Sequence, residues 1–166
     1  MFMRPYVEDT AMSAMAESMR EQYARAWEML RGLVDGLSDT AWTAETHAAP
    51  APVRYAVHAV ESTDFYLRSE LEGYRFATLF GANWEGPLEG LPDRAAAMAV
   101  IEAVAQRTDA WLAGLSDADL LGPNPFFWTG GTVLSRLAYN LRHMLYHMGE
   151  MSAAMRAQGA TETPWA

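Results

Sequence analysis

Thr132 to Gln158, TVLSRLAYNLRHMLYHMGEMSAAMRAQ, is the stretch whose reading decides the fold. Its apolar residues Leu134, Leu137, Leu141, Leu145, Met148 and Met155 recur at three- and four-residue steps or their sum, the period of a long helix with one packing face. Thr132, after the Gly130-Gly131 break, suits an N-cap, and Gly159 suits a C-terminal stop. Within it His143 and His147 stand four residues apart. Four residues turn the helix by about 400°, so the two imidazoles share one face, one turn above the other, and can grip a common metal ion.

On a helical wheel with His143 at the origin, Leu141, Leu145 and Met148 fall at about 140° to 200°, while His147, Asn140, Arg136 and Glu150 fall at about −20° to 60°. The histidines therefore share a polar stripe beside the apolar one. Two readings are open: a solvated face with incidental histidines, or a water-filled cleft between helices where neutral imidazoles bind a transition metal. The second needs a third ligand from another helix.

Outward from this stretch, the chain of 166 residues is expected to form one domain. Hydrophobic residues make up 51% and charged residues 20%, a globular composition. No run resembles a membrane span and the N-terminus lacks a signal-peptide layout, so a cytoplasmic location is expected. Cysteine is absent, which leaves imidazole, carboxylate and water as metal ligands and excludes thiolate nucleophiles from the chain itself. The net charge is −9, all twelve basic residues are arginine, and no basic cluster appears, which argues against a nucleic-acid partner.

In chain order, Met1 to Tyr6 reads as a lead-in. A first helix, capped by Asp9 or Ser13, runs to about Leu33 on Met15, Met19, Tyr23, Trp27, Leu30 and Leu33. Ser38 caps a short turn, Asp39 to Trp42, and Ala48 to Ala51 is a connector. A second helix starts at Pro52 and runs to about Gly73, with His58 in its first half. Phe76 to Leu91 reads as a loop. Asp93 to Leu115 is a third long helix that buries Ala97, Val100, Ile101, Val104, Thr108, Trp111 and Leu112. Ser116 to Gly131, with Pro123, Pro125, Phe126, Phe127 and Trp128, reads as a crossover loop whose aromatics serve most simply as core plugs or dimer contacts, with a substrate-site lid as the alternative. With no strand alternation, the fold class is all-α, a four-helix bundle with long connections. Gly-Leu-Ser-Asp occurs at Gly36 and again at Gly114, each time closing an odd-numbered helix, which suggests similar halves.

His58 in the second helix, HMLYHMGEMSAAMRAQG in the last, the Gly36 to Trp42 element and the Gly-Thr before the last helix together resemble the DinB-like family of metal-binding four-helix bundles, over nearly the whole chain. The resemblance implies a three-histidine site made by His58, His143 and His147, holding nickel or zinc with water in the open positions. It also implies a small-molecule substrate, a homodimer, and thiol-dependent transferase or isomerase chemistry with a low-molecular-weight thiol such as bacillithiol or mycothiol. Glu150 departs from the family, where many relatives carry Gln, and alters the charge beside the site. Other outcomes are a hydrolase working through metal-activated water, and a non-catalytic metal- or ligand-binding stress protein.

Other polar residues are placed more loosely. Glu61, one turn after His58, is a candidate catalytic group, as an acceptor orienting an imidazole, a fourth ligand or a general base, with a solvated carboxylate as the alternative. Asn140 and Arg136, one and two turns before His143, are candidates for catalysis and for binding an anionic substrate or thiol carboxylate, respectively. An ion-pair role is the alternative for Arg136. Tyr55 and Tyr139 offer hydroxyls or are simply buried. His47 reads as a surface residue.

Overall fold

The computed structural model describes residues 13–47 and 49–159; Asp9, the lead-in and Ala48 lie outside them. Four long helices and two short ones follow in the order α1 Ala14–Asp35, α2 Asp39–Trp42, α3 Pro52–Tyr66, α4 Arg94–Ala113, α5 Asp117–Leu121 and α6 Val133–Ala157. Each start except that of α3 is capped by a side chain: Ser13, Ser38, Asp93, Ser116 and Thr132 each accept a hydrogen bond from a backbone amide three residues on. Helix α3 instead opens on Pro52, whose missing N–H costs nothing in a first turn. Among the described residues there is no strand, only the isolated bridges Thr46 with Ala49 and Pro123 with Thr132. No helix is long and apolar enough to cross a membrane.

The chain is an all-helical bundle. The most extensive packing joins α3 to α6 and α1 to α4, and α1 with α6 and α3 with α4 complete a four-cornered arrangement. Its core is continuous: Trp27, Leu30 and Leu33 from α1, Val53, Val57 and Val60 from α3, Ile101, Val104 and Leu112 from α4, and Leu137, Met144, Met148 and Met151 from α6. The repeated Gly-Leu-Ser-Asp element has the same job twice, since Ser38 and Ser116 start the short helices α2 and α5.

Three expectations are corrected. Helix α3 stops at Tyr66, well before Gly73. Its continuation is diverted because the Arg68 carbonyl accepts from Arg136 Nη1 at 2.7 Å, and the Tyr74 hydroxyl folds back to the Glu61 carbonyl at 3.0 Å. The segment after Ser116 is not all loop: Ser116 and Asp119 form a reciprocal capping box that nucleates α5. The buried face of α6 is rotated from the Leu134–Leu141–Leu145 stripe, whose members are only half-buried. Arg136, Leu137, Asn140, Met144, Met148, Met151 and Met155 occupy it instead, so the polar stripe is partly inside the bundle.

Entry into α6 depends on Gly130, at φ 120°, where a Cβ would stand 2.6 Å from the Ser135 Cβ. Both the left-handed backbone and the clash oppose any side chain there. Gly130→Ala is expected to lower unfolding stability by about 1–3 kcal/mol, read as a drop in the urea midpoint; an unchanged midpoint would show that this turn does not set the α6 start.

Candidate metal centre

His58 comes from α3, and His143 and His147 from successive turns of α6. Packing of those two helices brings one nitrogen of each imidazole to within 4.8 Å of the others, and this is the group of potential metal ligands found among the described residues. The rings stand edge to face, with centroids 4.5 Å apart for His143 and His147, 4.6 Å for His58 and His147, and 5.2 Å for His58 and His143. All three residues are half-buried.

The electrostatics suit a cation. His143 Nε2 and His147 Nε2 approach to 3.1 Å. Two nitrogens each about 2.1 Å from one tetrahedral ion would stand about 3.4 Å apart, close to this separation. Burial, and then His147 and His143, lower the His58 pKa to about 4 from an ordinary 6.5. Burial, then His147, bring His143 to about 4 as well. At neutral pH these two imidazoles are therefore uncharged and carry a lone pair each. His147 Nδ1 lies 2.7 Å from Glu150 Oε2, which accepts the Nδ1 proton and leaves Nε2 as the free acceptor aimed into the group. His143 Nδ1 is buried with no hydrogen-bond partner.

Aromatic rings enclose the histidines. Trp84 packs on His58 at 4.4 Å, Tyr55 lies 6.3 Å from His147, Tyr139 lies nearly parallel to His143 at 6.2 Å, and Tyr146 meets His147 at 5.2 Å. Trp84 sits in the long α3–α4 connection and is held there by Arg54, whose Nη1 donates to the carbonyls of Trp84 at 2.6 Å and Gly86 at 2.7 Å. The sequence offered no periodic signal for Trp84 or Arg54. A cleft of about 310 Å³ lined by Arg20, Trp27, Arg31 and Leu112 lies elsewhere, between α1 and α4, and contains no histidine.

Glu61, Asn140 and Arg136 lie differently. Glu61 is 1% exposed, and its carboxylate faces the backbone amides of Ala77, Leu79 and Phe80 without reaching full hydrogen-bond geometry. Burial raises its pKa, and those amides draw it back. Asn140 is 0% exposed; its Nδ2 donates to Tyr23 Oη at 3.0 Å, and that hydroxyl donates to the Leu137 carbonyl at 3.1 Å. Arg136 is 2% exposed, with its guanidinium over the rings of Phe126 at 4.7 Å and Trp111 at 5.6 Å. His47 is exposed and outside the group.

A pH dependence follows. In the unfolded chain a histidine takes up a proton near pH 6.5, whereas folded His58 and His143 do so only near 4. Between those values the unfolded state binds more protons, so the metal-free protein loses stability as pH falls from about 6.5 to about 4. His58→Asn is expected to flatten part of that slope in urea midpoints measured across this window; a slope identical to wild type would remove His58 from the account.

A comparison with curated proteins finds no match. The family model of the DinB superfamily matches residues 22–151, a span that takes in all three histidines and every helix at least in part. The chain belongs to the DinB superfamily.

Proposed function

We propose that this chain is a metal-dependent enzyme that transfers a low-molecular-weight thiol, such as bacillithiol or mycothiol, to a small-molecule substrate. His58, His143 and His147 hold one nickel or zinc ion. The observation that carries the reading is the convergence of the three imidazole nitrogens within 4.8 Å, on half-buried residues and with no fourth protein ligand in the group among the described residues. Structural sites of this kind are closed by four protein ligands, whereas catalytic ones keep a position free.

When bound, such an ion keeps its full positive charge against three neutral ligands and lowers the pKa of a thiol, supplying a sulfur nucleophile near neutral pH. The chain has no cysteine, so the sulfur comes from the thiol cofactor. The protein's own residues prepare the place. Burial keeps His58 and His143 deprotonated, and Glu150 fixes the His147 tautomer by accepting the Nδ1 proton. Trp84 and Tyr55 cover the α3 side and exclude water there. Under this reading Glu61 contributes as an anchor of the connection that carries Trp84. Asn140 and Arg136 set α6 against α1 and the C-terminal end of α3, so that the α6 histidines meet His58 in register. Assembly as a homodimer in the cytoplasm belongs to the same reading.

Elemental analysis of the untagged protein is expected to return one nickel or zinc per chain. Ion at a hundredfold excess over its Kd stabilises the fold by about 2.7 kcal/mol, read as a raised melting temperature. His143→Ala is expected to abolish that rise; a rise that persists would overturn the ligand assignment. With nickel or cobalt bound, added thiol is expected to shift the visible spectrum, and a spectrum blind to thiol would rule out the transferase.

Glu150→Ala leaves all three ligands in place and removes only the acceptor on His147. Metal affinity is expected to fall by about 10- to 100-fold by competition with a chromophoric chelator. Unchanged affinity would mean that the carboxylate plays no part in ligation.

A further inference from the structure

Beside the histidines runs a strip of aromatic rings that starts inside the bundle, at buried Tyr66, and ends at its surface, at Phe127 and Trp128. Tyr139 lies nearly parallel to the His143 imidazole, and Tyr66 lies 5.5 Å from Tyr139 and 6.4 Å from His143. Trp128 Nε1 donates to the Tyr66 hydroxyl at 3.2 Å, and Phe127 meets Trp128 edge to face at 5.1 Å. Phe126, between these elements, is fully buried and plugs the core. Its two neighbours do not: Trp128 is 44% exposed and Phe127 80%. Isolated exposed aromatics are ordinary, but adjacent ones continuous with a candidate site form a recognition surface.

Charge at the same rim points one way. Arg142, one residue before His143, is exposed, lies 5.3 Å over the Tyr139 ring, and has no carboxylate partner among the described residues. Arg20, Arg31, Arg54, Arg94 and Arg107 are each paired with an acid, whereas Arg142 shares its lack of a carboxylate partner with Arg25, Arg68, Arg75, Arg136 and Arg156 among the described residues and differs from them in lying over the ring that stacks on His143. In a chain of net charge −9, an exposed cation over the ring that stacks on His143 is placed to meet an anion.

We propose that the substrate of this centre carries an aryl group that lies along the Tyr139–Tyr66–Trp128 strip, with an anionic substituent directed to Arg142. The proposal rests on the reading of the three histidines as a metal centre. Tyr139 and Trp128, backed by buried Tyr66, supply aromatic stacking and apolar burial for a flat body whose reacting atom lies beside the thiol on the ion. Trp128 and Arg142 thereby select the substrate and leave the ligation itself unchanged.

The test uses the full chain loaded with cobalt(II) and four hydroxamate probes, followed by visible absorption. Affinity is expected to rise by at least about fivefold from acetohydroxamate to benzohydroxamate, and again to 4-phenylbenzohydroxamate. Trp128→Ala, at an exposed position, should remove the second step and keep the first. Arg142→Gln should cancel the advantage of 4-carboxybenzohydroxamate over benzohydroxamate and leave acetohydroxamate binding as it was. Equal affinities for all four probes with cobalt bound would overturn this inference and leave the metal centre standing. So would a Trp128→Ala variant that binds every probe normally but changes from dimer to monomer on size exclusion, since the strip would then be a subunit contact. Failure of cobalt to bind at all would remove the centre, and this inference with it.

Discussion

The contact between α3 and α6 is the constraint on which the site depends, because it alone carries His58 to within reach of His143 and His147. The apolar part of the faces by which these two helices enter the core is Val53, Val57 and Val60 on one and Leu137, Met144, Met148 and Met151 on the other. Each such side chain contributes roughly 1.5–3 kcal/mol on burial, enough in sum to hold the imidazoles near one another while burial disfavours protonation of His58 and His143. Beside that apolar face stand the three imidazoles, on half-buried residues.

The polar groups inside the bundle hold this geometry. Asn140 and Tyr23 link α6 to α1 by a hydrogen-bonded chain, and Arg136 reaches from α6 to the Arg68 carbonyl just beyond α3. A buried arginine without a carboxylate is costly, and here two aromatic faces and a carbonyl offset part of that cost. Glu61 plays a comparable part for the connection after α3, where its carboxylate lies under three backbone amides. Because leaving a partner unmatched inside the bundle is expensive, these groups favour one register of α6 over its neighbours.

Membership of the DinB superfamily and the three-histidine donor set both fit a metal-dependent protein. A chain without cysteine can offer a metal nitrogen and oxygen, and this group is built from nitrogen, with a neighbouring carboxylate, Glu150, engaged through His147. Neutral ligands leave the charge of an ion undiminished, which suits the acidification of an external donor.

The helical period, the serine and threonine caps, Pro52 and the glycine stops were legible in the sequence because they act within one or two turns of chain. The pairing of His143 with His147 was legible for the same reason. Capping of α5 was written locally too, in Ser116 and Asp119, though prolines and glycines nearby obscured it. What local pattern did not reveal is which side of α6 would be inside. Periodicity counts apolar residues and so placed Arg136 and Asn140 on an open stripe, whereas tertiary packing gave them partners from α1 and from the end of α3 that make burial tolerable. The early end of α3, the seat of Trp84 on His58 and the aromatic strip likewise arise from contacts between residues distant in sequence. The sequence by itself determined the helices and their ligand-bearing turns. Only the tertiary structure decided which faces meet, because that choice depends on matching buried polar groups across helices, and no single helix carries that information.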